Sequence, residues 1–401
     1  MHFMSILIKR LLYTVSYYCF YLVDFMVPKD KSIWIIASHS GLVSNSRFLA
    51  EFLLDNHENI SLHLFTFKTN NDLSEKHFLQ RYKGKFALSK KRNLKSLIVT
   101  LRAGRIFITH DVIRDVGFPI GTAGNRRLVV NLWHGITTKK QWLAKKHFLS
   151  SHKLKTLQFS KAIASSEIDA VAKTAIFQKP YDDIWVTGIP RNDILAGESK
   201  VLPEDLLQQE KALLEDIGGK RLVLYAPTWR KNARGLFPFQ GEYLSHLYSI
   251  MEKNNAVLGL RFHQKDEEKY KDLYSQFPSI INLGKIKYPE TQVLLRNTEV
   301  LVTDYSSIWI DFLLTDKPVI AFWHDMSEYQ KSGGLLFDLP RLFPGPTACS
   351  CEDFLLCIEK TLAMNEESLD WERSYKHVKN LFHKYTDGKN TERLLQRVLR
   401  Q

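Results

Sequence analysis

Residues 299–323 read EVLVTDYSSIWIDFLLTDKPVIAFW. EVLVT is a short apolar run rich in valine, which predicts a strand buried on both faces. Asp304 to Ser307 supply turn and cap residues, IWIDFLLT predicts a helix, and Lys317-Pro318 ends it before a second apolar strand. Strand, helix and strand in that order make a βαβ unit, the connection that two parallel neighbouring strands require.

The alternation extends toward the N-terminus. In the same half, RLVLYAP (221–227), AVLGLRFH (256–263) and SIINLG (279–284) read as strands, with helices near 240–253, 266–275, 289–297 and 306–314. Upstream, SIWIIAS (32–38), ISLHLFTF (60–67), RIFITHD (105–111), RRLVVNLW (126–133), AIASSE (162–167) and DIWVTGIP (183–190) are strands. Helices are predicted over 46–56 and over 93–104, with Gly104 as the stop. Between the halves, residues 197–219 are polar, helical in pattern and bounded by glycines, which suits a domain connection. The expected fold class is therefore α/β, with two doubly wound Rossmann-like domains facing across a cleft: residues 28–196 and 220–401, the second carrying C-terminal helices.

Residues 1–27 stand apart. After Lys9 and Arg10 comes LLYTVSYYCFYLVDFMV, an aromatic-rich apolar run without a basic residue and without a small-residue cleavage site. Asp24 leaves it at or just under bilayer-spanning length, so the expectation is an N-terminal apolar helix lying at a membrane surface or heading a globular domain. Across the chain of 401 residues, 56 Lys and Arg against 43 Asp and Glu give a formal charge of +13, which favours an anionic partner. The basic residues are dispersed and form no stripe with interleaved aromatics, so nucleic acid is not the expected partner. Four cysteines, two of them as Cys349-x-Cys351, are too few for a disulfide framework and lack zinc-site spacing.

In open parallel sheets, ligands sit beyond the carboxyl ends of the strands, and several polar clusters lie there. Ser306 and Ser307 follow the strand ending at Thr303 and precede a helix, where free N–H groups favour a phosphate; Asp304 and Asp311 flank them. Thr228, Trp229 and Arg230 follow RLVLYAP, and Arg261 and His263 share one strand face. In the first half, Trp133, His134 and Gly135 follow VVNL and lead to Lys139 and Lys140, with Gly135 read as the tight turn that presents the imidazole. No Walker A loop, no GxGxxG and no GxSxG is present, which argues against an NTPase, a dehydrogenase and an α/β-hydrolase. No acidic pair has the spacing of a dedicated metal cage; a divalent cation such as Mg2+ is the one cofactor left open.

Together these segments resemble the CDP-glycerol glycerophosphotransferase family, which comprises teichoic acid primases and polymerases and related capsule polymerases. The residues that carry the likeness are Trp133-His134-Gly135 with Lys139 and Lys140, TGIPRND (187–193, with Arg191), YAPTWR (225–230), Arg261-x-His263, and TDYSS (303–307) followed by Asp311. GGLLFDLPRLFPGP (333–346) is similar to a later family stretch. Two departures stand out: Thr137-Thr138 replaces the family's Pro-Leu, and Gln264 replaces a proline after His263. Both lie beside the proposed site, so they point at acceptor choice or fine geometry.

The resemblance implies a glycosyltransferase B type fold at the cytoplasmic face of the membrane, with CDP-glycerol or another CDP-polyol as donor and a lipid-linked saccharide or polymer as acceptor. It implies a transfer that releases CMP. On this reading His134 is the general base and His263 with Arg261 steadies the pyrophosphate, although the two histidines are interchangeable at this level. Ser306 and Ser307 would hold donor phosphates; Asp304 and Asp311 would orient the site or meet the polyol or ribose; Trp133, Gly135, Thr228 and Thr303 would shape it; Arg191 and Arg230 are further phosphate ligands. The alternative is a nucleotide-sugar glycosyltransferase of the same fold, which would release a different nucleotide.

Overall fold

A computed structural model describes residues 18–66, 73–90, 92–140, 158–196, 202–228, 237–262, 264–332, 334–363 and 372–401. Seven parallel strands form the first sheet: β1 (Asp30–Ser38), β2 (Ser61–Thr66), β3 (Ala87–Lys90), β4 (Ala103–Ile108), β5 (Leu128–Asn131), β6 (Lys161–Ala164) and β7 (Ile184–Val186), in the order β3-β2-β1-β4-β5-β6-β7. Six form the second: β8 (Arg221–Ala226), β9 (Ala256–Leu260), β10 (Ile280–Asn282), β11 (Val300–Thr303), β12 (Val319–Phe322) and β13 (Thr347–Ala348), in the order β10-β9-β8-β11-β12-β13. Each sheet starts in its middle, winds one way and then the other. The reversal falls between β1 and β4 in the first sheet and between β8 and β11 in the second, and a doubly wound sheet opens its ligand crevice at that point.

The central strands are apolar because helices cover both faces. β4, β5, β11 and β12 are buried at every position. Gly104 is not a helix stop. The preceding helix ends at Arg102, and Gly104 lies inside β4, where a Cβ would come within 2.6 Å of the Asp30 carbonyl on β1. Close pairing of the two strands at the reversal point therefore requires glycine.

The two sheets are not independent bodies. The largest cluster of buried apolar side chains runs from Leu49, Leu132 and Ile136 beside the first sheet to Leu224, Leu301 and Trp309 in the second. The segment 197–219 contains a helix, Glu204–Ile217. After the second sheet the chain crosses back: the Lys384 N–H donates to the Ser165 carbonyl at 3.0 Å. The last helix, Asn390–Leu399, has its first turn capped by Asp193, which accepts from the N–H groups of Asn390 (2.7 Å) and Thr391 (2.9 Å) and from Thr391 Oγ1 (2.7 Å). Gly188 (φ +83°) passes under Asn390, and any Cβ there would overlap its side chain. Two residues of the TGIPRND segment thus hold the C-terminal helix.

Of the N-terminal apolar run, residues 1–17 lie outside the described residues; residues 18–26 are helical. Asp24 is fully buried there, paired with Arg127 Nη1 at 2.8 Å and Lys29 Nζ at 3.1 Å, and Phe20 stacks on Phe118. Asp24 anchors this segment to the first domain, while Leu22 and Met26 stay 62% and 78% exposed. No described helix is long and apolar enough to cross a membrane.

Candidate active site

A cavity of about 330 Å³ lies where the carboxyl ends of the two sheets meet. His110, His134 and Arg191 line it from the first domain, and Glu290, Ser307 and Asp311 from the second. A larger groove of about 490 Å³ follows β10 at the outer edge of the second sheet, lined in part by Glu267, Tyr274 and Lys287. It contains none of the motif residues, so the interdomain cavity is the site that the strand-end logic selects.

His134 is presented by a strained turn. Trp133, a bulky residue buried to 3% exposure, adopts φ +52°, a left-handed backbone that costs on the order of 1–3 kcal/mol and persists only where the surroundings enforce it. The enforcement is visible. The Trp133 N–H donates to Asn131 Oδ1 at 2.9 Å, its carbonyl accepts from Asn45 Nδ2 at 3.1 Å, and its ring packs edge-on to Phe177. The tight turn therefore sits at Trp133 and not at Gly135. Gly135 lies close to the second domain: a Cβ there would stand 3.3 Å from Ser307 Oγ across the cleft and 3.5 Å from Arg191 Nη2.

The His134 ring is open to the cleft, yet protein packs densely behind it. Burial comes first among the causes that push its pKa down, to about 3, followed by His110, with Arg191 and Lys173 acting the same way; a hydrogen bond to the Thr109 backbone opposes them. Cleft water screens part of this effect. The shift favours the neutral imidazole.

Arg191 joins the two domains. Its Nη2 meets Asp311 Oδ2 at 2.5 Å, and Nη1 donates to the His134 carbonyl at 2.9 Å and to Ser44 Oγ at 3.3 Å. Asn192 Nδ2 occupies the other oxygen of Asp311 at 2.9 Å. Glu290 of the second domain accepts from the Ser44 N–H at 3.1 Å. Asp311 is thus engaged by the first domain. Asp304 is buried and organises loops: its carboxylate accepts N–H groups from Thr228 at 2.8 Å, Tyr305 at 2.5 Å and Ser306 at 3.3 Å. Thr303 Oγ1 donates to the Ala226 carbonyl, tying β11 to β8. Both carboxylates are held by N–H donors of the protein.

Arg261 differs from its expected role. Nη1 donates to the carbonyls of Leu283 and Tyr288 at 2.8 and 2.9 Å, and Nη2 to Thr291 Oγ1 at 2.9 Å. Burial pushes its pKa down to about 10. The guanidinium holds the 283–291 loop, which carries Glu290 to the cavity, and does not itself line it. Arg230 and His263, with Trp229, lie outside the described residues. Thr137 and Thr138 are buried: the Thr137 N–H donates to Asp169 Oδ1, the Thr138 carbonyl accepts from the Leu336 N–H, and Lys139 bridges Leu335 antiparallel. The Thr-Thr departure is therefore where the first domain straps onto the 334–336 segment, not an open acceptor surface. Lys139 turns toward Thr228 and the Tyr329 ring.

Two residues that the sequence reading passed over, His39 and His110, are central here, with Asp115 beneath them. His39 and His110 follow β1 and β4 at the first sheet's reversal point, and both are organised by Asp115. The signal was present, since SIWIIAS and RIFIT are strands ending one or two residues before these imidazoles.

The family model for CDP-glycerol:poly(glycerophosphate) glycerophosphotransferase matches residues 19–400. The chain belongs to that family. Within this glycerophosphotransferase family, a teichoic acid poly(ribitol-phosphate) polymerase of Bacillus spizizenii is 27% identical over 386 residues, taking in 93% of this chain and 56% of its own length. The teichoic acid poly(glycerol phosphate) polymerase of the same organism is 24% identical, covering 84% of this chain and 85% of that one. The chain spans about half the length of the ribitol-phosphate polymerases it matches. Among solved structures, the wall teichoic acid polymerase TagF aligns with a TM-score of 0.75 at 16% identity, over 94% of this chain and 90% of that chain. At that identity the likeness speaks for the fold, two parallel-sheet α/β domains.

Proposed function

We propose that this chain transfers glycerol phosphate or ribitol phosphate from a CDP-polyol to a hydroxyl of a lipid-linked saccharide or polymer, releasing CMP, in teichoic acid-like or other surface-polymer synthesis. The observation that carries this reading is the meeting of His134 with Ser306 and Ser307 in one cavity, built from the facing strand ends of both sheets. The family's name and the polymerase names of its relatives support the substrate class. We divide the chain at residues 197–219, with the acceptor on the first side and the donor on the second.

In the reaction, the acceptor oxygen forms a bond to the polyol-bearing phosphorus, the anhydride bond to CMP breaks, and the hydroxyl proton leaves. CMP departs as a phosphate monoester with a second pKa near ~6 and needs no strong acid. His134 takes the proton. An imidazole held near 3 is a weak base, but the donor's pyrophosphate brings negative charge beside it and raises its proton affinity. Basicity is thereby linked to donor occupancy. The Ser306 and Ser307 hydroxyls and the Ser307 N–H are offered to the phosphates, and His263 is their proposed partner. Residues 18–26, with exposed Leu22 and Met26 and the basic surplus of the chain, favour docking at the anionic cytoplasmic face of a membrane.

The test is to incubate the full chain and acceptor-bearing membranes with CDP-glycerol and with CDP-ribitol, and to identify the released nucleotide. CMP from at least one is expected. No CMP from either, with UDP released from a nucleotide sugar, would move the chain to the glycosyltransferase reading.

A further inference from the structure

His110 is absent from every motif singled out in the sequence, yet its ring lies parallel to the His134 ring, with centroids 5.0 Å apart and planes 17° apart. The Trp133 ring also stands 4.2 Å from the His134 ring, tilted by 35°. The imidazole of His134 is therefore in contact with two rings. At this separation the histidines stack and do not share a proton.

The main chain fixes that stack from beneath. Asp115, fully buried, accepts N–H groups from His39 (2.8 Å), Thr109 (2.7 Å) and His110 (2.6 Å), and lies 3.6 Å from His110 Nδ1. Thr109 Oγ1 stands 3.0 Å from the same nitrogen. Asn131 then links the two strand-end loops: its Nδ2 donates to the His110 carbonyl at 2.9 Å, and its Oδ1 accepts from the Trp133 N–H at 2.9 Å. One buried carboxylate and one buried amide thus set both imidazoles at the reversal point of the first sheet.

We propose that His110, locked by Asp115 and Asn131, is a positioning residue for the transfer: its ring fixes the plane in which His134 meets the acceptor hydroxyl. This rests on His134 being the base. The charged and titratable groups facing the pair are Asp115, His39, Arg191 and Lys173 from the first domain, and Lys285, Glu290 and Asp311 lining the cavity from the second. After burial, His110 is the next cause that pushes the His134 pKa down, which makes the stack electrostatic as well as steric.

The experiment compares His110→Ala and His110→Phe in the full chain, measuring CMP release from a CDP-polyol across pH, and following the His134 ring by NMR with labelled histidine. Misplacing a reacting group by about 1 Å costs on the order of 10²-fold, so His110→Ala should lose about that in kcat with donor KM little changed. His110→Phe keeps the flat ring and should recover most of the loss, while its acid limb and the His134 titration both move to higher pH. Equal activity in all three proteins, equal loss in both variants, or a His134 titration unmoved by His110→Phe would overturn the proposal. If the wild-type chain releases no CMP, the transfer reading fails instead, and the NMR titration still reports whether the rings are coupled. Thermal unfolding of both variants separates misfolding from misplacement.

Discussion

Replacing Asp311 by alanine decides whether Arg191 is an interdomain tie or a phosphate ligand. The substitution removes two hydrogen bonds to a charged acceptor, from Arg191 at 2.5 Å and Asn192 at 2.9 Å, in a pair whose side chains are 12% and 2% exposed. Hydrogen bonds to charged groups are worth a net ~1.5–3 kcal/mol each, and removing one member of a buried ion pair costs ~3–5, so the expected loss is about 3–5 kcal/mol. Arg191→Ala loses the same Asp311 bond together with those to the His134 carbonyl and Ser44. The double variant should therefore cost less than the sum, by a coupling of about 2 kcal/mol. Urea unfolding of the four proteins measures it. A coupling under ~0.5 kcal/mol, together with a raised donor KM in Arg191→Ala alone, would refute the tie and return Arg191 to the phosphate.

Further outcomes follow from other parts of the molecule. His134 has a pKa of about 3 when folded against an ordinary ~6.5 unfolded; between those values the unfolded chain holds the extra proton, so stability rises with pH across that window and is lost as pH falls. His134→Gln should flatten that part of the stability curve, and an unchanged slope would count against the depressed His134 pKa. Asp24→Ala leaves Arg127 and Lys29 without their carboxylate and should cost about 3 kcal/mol in thermal or urea unfolding; a loss below ~1 would deny Asp24 its anchoring role. Asp193→Ala removes the cap on the last helix and should speed hydrogen exchange over 390–399 selectively, with no change there contradicting the cap.

The parallel α/β architecture was legible because buried parallel strands are nearly continuous apolar runs and because EVLVTDYSSIWIDFLLTDKPVIAFW contains a whole βαβ unit. The short edge strands β3 and β13 were not, since two or four half-exposed residues leave no period to read. Strand-end reasoning found His134 and Ser307, which line one cavity. It left open whether Asp304 and Asp311 orient the site or meet a ligand. In the structure Asp304 holds three backbone N–H groups and Asp311 holds Arg191 and Asn192, while Arg261, expected at the pyrophosphate, holds the 283–291 loop. No sequence pattern distinguishes a guanidinium that meets carbonyls from one that meets phosphate. His39 and His110 were missed for the opposite reason, because each looked like a single polar residue at the end of a strand. Only the strand order, which places β1 beside β4, brings them to one point.

The central claim is that His134 takes the acceptor proton. Its most direct test is the rate of CMP release from a CDP-polyol by His134→Ala, with donor affinity measured separately by calorimetry. kcat should fall by roughly 10² to 10⁴, the usual worth of a general base, with donor affinity within a few-fold of the parent. Wild-type CMP release by a correctly folded His134→Ala protein would contradict it.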